Sequence, residues 1–165
     1  MGIGGKNISI VYLASPLGFA ESTRGFMDAI EILITNCGYI VVNPWRIANP
    51  QQFNVITQDI QKRRQTLHKV NMKTAAQNAE AIRECQTVMA VPDGTHVDSG
   101  SASEIGFAYA LGKRIFGYRG DIRRSGDNDG SVVNLQVQYW IENSGGCIVT
   151  SLNALRELLV KASKE

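Results

Sequence analysis

The chain has 165 residues, which is the usual size of one domain, and 44% of them are hydrophobic, enough to form one core. Its formal net charge is only +2, and its basic residues are scattered except at 62–64 and 123–124. This weak basic footprint argues against a protein that binds nucleic acid. No apolar run reaches the length of a signal peptide or the ~18 residues of a membrane span. We therefore expect a cytoplasmic protein with one domain over residues 1–165 and no membrane partner.

Three cysteines, Cys37, Cys85 and Cys147, lie far apart in the sequence. Their number is odd, and none of the close spacings typical of zinc or redox sites occurs. We therefore predict reduced, mostly buried thiols and no metal site.

The first half of the chain predicts strands that alternate with helices. The β-branched run Ile8–Leu13 is typical of a buried strand. Apolar residues then recur at helical spacing from Ser22 to Cys37, Gly38 is placed to close that helix in a left-handed conformation, and Tyr39–Val42 predicts a second strand. Residues 44–73 are irregular and indicate only a polar, exposed helix.

The second half continues this alternation. Thr74 can cap a helix, and the polar, Gly- and Asp-rich segment 119–131 is typical of a loop. The predicted elements are, in order, a helix over 75–85, a strand over 87–91, a helix over 101–111 closed by Gly112, a strand over 114–118, a helix over 133–142, a strand over 147–149, and a helix over 152–162 capped by Ser151.

This order of elements predicts a single α/β domain. Its sheet is expected to be doubly wound, with five parallel strands and helices on both faces, as in Rossmann-like and flavodoxin-like proteins. Ligands bind such sheets at the carboxyl ends of the strands. Those ends here carry residues 15–19, 43–46, 92–100 and the segment from 119 onward. No P-loop or dinucleotide fingerprint follows a strand.

The segment Asp98–Lys113, DSGSASEIGFAYALGK, opens the helix after the third strand. By spacing alone, Ser101 and Glu104 form a capping box, in which the serine is the N-cap and the glutamate bonds back to the backbone. The same position also puts a carboxylate near the positive end of a helix, where the dipole would keep it ionised. An ionised, positioned carboxylate is suited to nucleophilic attack on an anomeric carbon.

Three segments resemble the nucleoside 2-deoxyribosyltransferase family and its relatives, the deoxynucleotide N-glycosidases. VYLASP, at Val11–Pro16, resembles the family's Y-x-(A/G)-x-P strand. The Asp98–Lys113 segment resembles its D-x-G-(x)3-E-(I/L)-G-x-A block. Of the three matches, this is the specific one. Val133–Leu135 resembles its C-terminal N-L element. Together the matches span most of the chain.

The resemblance implies a reaction that needs no cofactor. Glu104 would be the nucleophile that forms a covalent deoxyribosyl-enzyme, so that two displacements give net retention. Tyr12 would orient the Glu104 carboxylate; without the family it is a half-buried strand tyrosine. Asp98 would lie near the sugar 5′-hydroxyl, or merely cap the helix, and Gly100 of the same block would line the substrate site.

The resemblance also implies an obligate homo-oligomer, as a dimer, tetramer or hexamer. Asn134 and Gln136 would reach into the active site of a neighbouring subunit. The small-molecule partners would be a 2′-deoxynucleoside donor and a free nucleobase acceptor.

The chain departs from the family pattern at the position expected to protonate the leaving nucleobase. Where several members place an aspartate that protonates the leaving base, this sequence has Asn78, and an amide is not a general acid. Either Asn78 only hydrogen-bonds the base, or another acid such as Asp93 acts. Gln136 stands where some relatives have Met. Phe19 and Trp45 could stack on a base, or they could be structural plugs.

Three functions remain open from the sequence. The first is a transferase of the deoxyribosyl group. The second is an N-glycosidase that hydrolyses nucleosides or their 5′-monophosphates; Asp98 would repel a phosphate, whereas Ser99, Ser101 and Ser103 could bind one. The third is a non-catalytic nucleotide-binding module, since open α/β sheets host many unrelated activities.

Overall fold

The computed structural model describes residues 9–164 and contains a five-stranded sheet in which every pairing is parallel. The strand order is β2-β1-β3-β4-β5, the flavodoxin-like order of doubly wound sheets. The predicted fold class is therefore confirmed. The predicted first strand began at Ile8, which lies outside the described residues. The strands are β1 (Ile10–Ala14), β2 (Ile40–Val42), β3 (Thr87–Ala90), β4 (Arg114–Tyr118) and β5 (Ile148–Val149).

Six α-helices connect or flank these strands within the described residues. Short 3-10 turns at Pro16–Gly18 and Pro50–Phe53 add to the loops. The helices are α1 (Glu21–Asn36), α2 (Pro44–Ile47), α3 (Ile60–Glu84), α4 (Ser99–Ala110), α5 (Leu135–Asn143) and α6 (Leu152–Ala162). None of them, within residues 9–164, is long and apolar enough to cross a membrane.

The sheet separates two apolar cores. Alternation along β1 sends Val11 and Leu13 into one core and Tyr12 and Ala14 into the other. We call the side covered by α1 and α6 the α1 face, and the side covered by α3, α4 and α5 the α4 face. Because both faces are covered, the central strands are buried on both sides and read as continuous apolar runs.

The structure corrects the helix predicted over 75–85, with Thr74 as its cap. α3 is one continuous helix of 25 residues from Ile60, and Thr74 lies in its interior. Asp59 caps it by accepting a hydrogen bond from the Lys62 backbone N–H at 3.0 Å. No glycine or proline interrupts residues 60–84. Ile82 is the only fully buried residue of α3, so most of the helix carries no apolar periodicity that the sequence could reveal.

The structure also corrects the start of two further helices. Asp98, not Ser101, is the N-cap of α4, because its carboxylate accepts the Ser101 backbone N–H at 2.9 Å. Ser101 is itself buried, and the capping box with Glu104 does not form. α5 begins at Leu135 instead of residue 133, because the Asn134 side chain caps it.

Two helix ends follow the prediction, whereas the burial of the thiols follows it only in part. Gly38 and Gly112 have φ angles of 92° and 69°, the left-handed conformation expected where a helix closes. All three cysteines are free thiols. Only Cys85 is fully buried, whereas Cys37 and Cys147 are half-buried, so the expectation of mostly buried thiols was wrong for two of them.

Candidate active site

A tyrosine and a glutamate form a polar pair inside the α4 face. Tyr12 of β1 is fully buried, and its hydroxyl donates a hydrogen bond to Glu104 Oε1 at 2.6 Å. The two residues are 92 positions apart in sequence and meet because α4 packs on β1 and β3. Since the ring of Tyr12 is held in the core, its hydroxyl has little freedom to leave the carboxylate.

Burial dominates the electrostatics of this pair. It raises the pKa of Glu104 to about 7, against a lowering by the hydrogen bond from Tyr12 and a further rise caused by the Asp98 charge. Burial and the neighbouring Glu104 also raise the pKa of Tyr12, so its phenol remains a proton donor in the hydrogen bond. The expectation that the helix dipole keeps Glu104 ionised is corrected: the residue lies in the second turn of α4, and the dipole acts within the first.

Asp98 is positioned by the helix that it caps. Its Oδ2 accepts the Ser101 N–H, and its negative charge is close enough to affect the pKa of Glu104. Gly100 lies beside this carboxylate, because a Cβ built there would be 3.1 Å from Asp98 Oδ2. A side chain at position 100 would therefore press on the cap.

Asn78 presents an unpaired acceptor on the α4 face. It lies one helical turn before Ile82, the buried anchor of α3, and α3 packs beside α4. Its Oδ1 is buried and has no hydrogen-bond partner among residues 9–164. A buried carbonyl oxygen without a donor is destabilising by about 1–3 kcal/mol, so an N–H donor on a ligand would be favourable here.

Phe19 and Asp93 lie in a groove of about 570 Å³ on the α1 face, which we call the α1 groove. Its lining does not include Tyr12, Glu104 or Asp98. The structure therefore divides the predicted site residues between two places. The groove is lined by Pro16, Leu17, Phe19, Ala20, Thr23, Phe26, Asp93, Gly94, Tyr118, Gly120 and Asp121.

Trp45 packs as a structural residue beside this groove. Its indole Nε1 donates to the Ser15 carbonyl at 2.9 Å, and its ring meets Phe19 edge to face with centroids 4.5 Å apart. A Cβ at Gly18 would lie 2.1 Å from the indole, so glycine is required for this packing.

Asn134 and Gln136 lie at the exposed start of α5. Asn134 Oδ1 accepts the Gln136 and Val137 N–H groups, and its Nδ2 donates to Asp127. None of the hydrogen bonds that Asn134 makes within residues 9–164 reaches the Tyr12–Glu104 pair.

The burial of Arg119 is a feature that sequence reasoning missed. This residue follows β4, is 3% exposed, and donates to the carbonyls of Pro92 at 2.5 Å, Gly94 at 3.1 Å and Arg123. It thereby joins the loops after β3 and β4. Its position at the carboxyl end of a strand was the only signal, and that signal does not reveal burial.

Among residues 9–164, no group of three or more His, Cys, Asp or Glu side chains is arranged to hold a metal ion.

Solved structures with this fold include known enzymes. A 2-deoxyribosyltransferase from Bacillus psychrosaccharolyticus has 20% identity and a TM-score of 0.65, covering 90% of each chain. A 2-desoxiribosyltransferase from Leishmania mexicana has 20% identity and a TM-score of 0.64, covering 93% of this chain and 97% of that one. A CMP N-glycosidase from Clostridium botulinum has 19% identity and a TM-score of 0.51, covering 90% and 95%.

No curated protein matches this chain at the level of sequence. The sequence profile of the family described as nucleoside 2-deoxyribosyltransferase matches residues 11–136, a range that includes Tyr12, Asn78, Asp98, Glu104 and Asn134. Since this match covers well over half of the chain, the protein belongs to the nucleoside 2-deoxyribosyltransferase family.

Proposed function

We propose that this protein transfers the 2-deoxyribosyl group of a 2′-deoxynucleoside from one nucleobase to another, with Glu104 as the nucleophile. The observation that carries the proposal is the part-buried hydrogen bond from the fully buried Tyr12 to Glu104. A carboxyl group held by one donor within an apolar face is fixed in position, and it titrates near neutral pH.

The proposed reaction has two displacements. The ionised Glu104 carboxylate attacks C1′ of the sugar, the C1′–N bond breaks, and its electron pair leaves with the base, which takes up a proton from solvent. A nitrogen of the second base then attacks C1′ from the side that the first base left. The ester bond to Glu104 breaks, the carboxylate is regenerated, and the nitrogen loses its proton to solvent. Two inversions give net retention.

Asn78 is assigned to base binding and not to proton transfer. Its buried, unpartnered Oδ1 is a hydrogen-bond acceptor that suits an exocyclic amino group or a ring N–H. Asp93 lines the α1 groove on the other face, so we give it no role in protonating the leaving base.

In a homo-oligomer, the active site of each subunit would include Asn134 and Gln136 of a neighbouring subunit. Both residues are exposed, and they lie beside two apolar side chains of α5, Leu135 and Tyr139, that are 55% and 51% exposed. Exposed apolar residues at this density favour a contact between subunits.

Unphosphorylated substrates are favoured over 5′-monophosphates. Asp98 would repel a phosphate beside Glu104. Of the serines that could bind one, Ser101 is 3% exposed and Ser103 donates its hydroxyl to the Ser99 carbonyl at 2.8 Å. Hydrolysis nevertheless remains the second candidate, because one of the solved structures with a similar fold is a CMP N-glycosidase.

The test is to incubate the protein with deoxyinosine, with and without free adenine, and to separate nucleosides from bases by chromatography. Deoxyadenosine formed only in the presence of adenine supports the transferase. Free hypoxanthine without exchange identifies a hydrolase instead. Glu104→Gln should abolish turnover, whereas Glu157→Gln, an exposed carboxylate on α6, should retain it. Full activity of a folded Glu104→Gln variant would exclude the nucleophile that we propose.

A further inference from the structure

The sequence contains two Asp-Gly dipeptides, Asp93–Gly94 and Asp129–Gly130. In such a pair the aspartate side chain can close a ring onto the backbone nitrogen of the next residue. Glycine favours this closure because it has no Cβ to crowd the nitrogen and leaves the backbone free to rotate. Both dipeptides lie in loops, one after β3 and one after β4. The dipeptides alone therefore do not distinguish the two places, and their surroundings must.

Hydrogen bonds hold the first dipeptide at its side chain and at its backbone. Asp93 Oδ1 accepts the Asp121 N–H at 2.9 Å. The guanidinium of Arg119, which is only 3% exposed, donates to the carbonyls of Pro92 and Gly94 at 2.5 Å and 3.1 Å. The Asp93 carboxyl carbon reaches the Gly94 nitrogen only if some of these bonds break.

The second dipeptide is exposed and weakly held. The Asp129 side chain is fully exposed, and its carboxylate accepts no hydrogen bond from residues 9–164. Arg124 Nη1 lies 3.6 Å from Asp129 Oδ1 and 3.4 Å from the Asp129 carbonyl oxygen, and Arg124 is itself exposed, so this contact is weak. The Gly130 N–H donates to Asn128 Oδ1 at 2.9 Å in an exposed bond that water can replace. Ring closure at Asp129 therefore meets little resistance from the fold.

The segment after Asp129 fixes the start of α5. Asp127 Oδ2 accepts the N–H of Leu135, the first residue of α5, at 2.6 Å. Between them, Ser131 is buried, and its N–H closes a turn by donating to the Asn128 carbonyl at 3.3 Å. An additional backbone atom within this turn would move Asp127 relative to Leu135.

We propose that Asp129 is a site of spontaneous conversion to isoaspartate, that the fold protects Asp93 from the same reaction, and that conversion at Asp129 loosens the start of α5. The proposal does not depend on the proposed function, because it needs only the exposed carboxyl group, the neighbouring nitrogen and water.

The conversion has two steps. The Gly130 nitrogen attacks Cγ of the protonated Asp129 carboxyl and loses its proton to solvent, and the hydroxyl leaves with a proton from solvent as water, which closes a cyclic imide. A second water molecule then adds to the backbone carbonyl carbon of Asp129. The bond from that carbon to the Gly130 nitrogen breaks, and the nitrogen takes up a proton. The chain now runs through Cβ and Cγ, so the backbone is longer by one atom while the mass is unchanged.

Ageing of the full-length protein at neutral pH for several weeks tests the proposal. Trypsin cuts after Lys and Arg, so the two dipeptides fall on separate peptides, 84–113 and 125–156. An isoaspartate-specific methyltransferase with a radiolabelled methyl donor is the probe, and fragmentation of the labelled peptide locates the modified residue. Conversion at Asp129 should be about tenfold faster or more than at Asp93, because at least one buried hydrogen bond must break at Asp93. In urea, where these bonds are lost, the two rates should become similar.

Variants separate the chemistry from a general effect of ageing. Asp129→Glu should abolish labelling at this position, because its longer side chain closes a ring much more slowly. Gly130→Ala should slow it, and alanine fits there because Gly130 lacks the left-handed φ of Gly94. Asp28→Glu, which changes an exposed aspartate that precedes alanine, should leave labelling unchanged.

Hydrogen exchange of the Leu135 N–H measures the effect on α5. It should be faster in the aged wild type than in fresh protein, and unchanged in aged Asp129→Glu. Equal labelling at Asp93 and Asp129 in the folded protein, or no labelling at Asp129, would overturn the assignment of the site. Unchanged exchange at Leu135 after conversion would overturn its effect on α5. None of these measurements uses turnover, so the outcome is independent of whether the protein exchanges nucleobases.

Discussion

At the scale of single residues, the unusual property of Glu104 is its burial. Its carboxyl group has one strong hydrogen-bond donor, Tyr12, and the negative charge of Asp98 nearby. One donor does not compensate for desolvation, so the pKa of Glu104 rises to about 7. The group is therefore partly protonated at neutral pH, and its nucleophilic form increases as pH rises.

This property predicts the pH dependence of the reaction. The value of kcat/KM should rise with a midpoint near pH 7, since only ionised Glu104 attacks C1′. Tyr12→Phe removes a hydrogen bond that lowers the pKa, so the midpoint should move to higher pH and the rate should fall roughly 10- to 100-fold. Steady-state kinetics between pH 5 and 9 measure both effects. A midpoint that stays the same in Tyr12→Phe would show that another group controls the profile.

The same burial predicts how stability depends on pH. The folded-state pKa of Glu104 lies above its ordinary value of 4.5, so the folded protein binds more protons than the unfolded chain between pH 4.5 and about 7. Stability is thus lost as pH rises through this window. Since each unit of pKa is worth about 1.4 kcal/mol, the loss amounts to about 3 kcal/mol.

Glu104→Gln removes that loss while keeping an oxygen for the Tyr12 hydroxyl. Relative to the wild type, the variant should therefore gain stability as pH rises from 4 to 8. Urea unfolding at both pH values measures the gain, and Glu157→Gln, which changes an exposed carboxylate, should show little of it. A constant difference between Glu104→Gln and the wild type would contradict the raised pKa.

At the scale of elements, α4 is the part of the fold that positions the site. Asp98 caps it at its start, and its charge acts on Glu104 in the next turn. The structural and electrostatic effects of Asp98 can be separated by substitution. Asp98→Ala should reduce the free energy of unfolding by about 1 kcal/mol, whereas Asp98→Asn should change it little, because Asn caps a helix as well as Asp.

Both Asp98 variants remove the negative charge, so both should lower the pKa of Glu104 and move the midpoint of kcat/KM to lower pH. Thermal unfolding and the pH profile together measure the two effects. Equal losses of stability in the Ala and Asn variants would show that the capping bond is not what stabilises α4.

The packing of α4 on α5 accounts for a glycine of the family segment. A Cβ at Gly106 would lie 2.9 Å from the Trp140 ring. We expect Gly106→Ala to destabilise the protein by about 1–3 kcal/mol, since the ring would have to move. Gly25→Ala in α1 is the matched control, because nothing lies within 4 Å of its Cβ. That variant should stabilise the helix by about 0.5–1 kcal/mol, and chemical denaturation measures both.

At the scale of the whole molecule, the question is whether one subunit holds a complete site. Asn134 is exposed, and its hydrogen bonds within residues 9–164 stay within its own region of the chain. If neighbouring subunits share sites, the Glu104→Gln and Asn134→Ser variants should each be inactive. Co-expression of the two variants should restore activity, because a mixed oligomer contains a site with Glu104 from one subunit and Asn134 from the other. Ser retains the ability to cap α5 while it removes the amide. Mixed oligomers that stay inactive would place Asn134 outside the shared site.

Much of the architecture was predictable because it depends on local signals. The runs predicted as strands at 87–91 and 114–118 form β3 and β4, and Gly38 and Gly112 close helices as predicted. The continuity of α3 was missed because Ile82 is its only fully buried residue, so most of the helix has no apolar pattern to detect. The capping box was wrong because Asp98, three residues before Ser101, accepts the Ser101 backbone N–H to which Glu104 would have bonded.

The sequence by itself therefore determined the fold class, the positions of most elements and the membership of the family, because periodicity, caps and motifs are properties of neighbouring residues. Only the tertiary structure decided that Tyr12 donates to Glu104 across 92 positions, and that Phe19 and Asp93 line a groove on the opposite face. It also decided the raised pKa of Glu104. Burial and the assignment of a side chain to one face of the sheet depend on which distant segments pack there, and local sequence carries no such information.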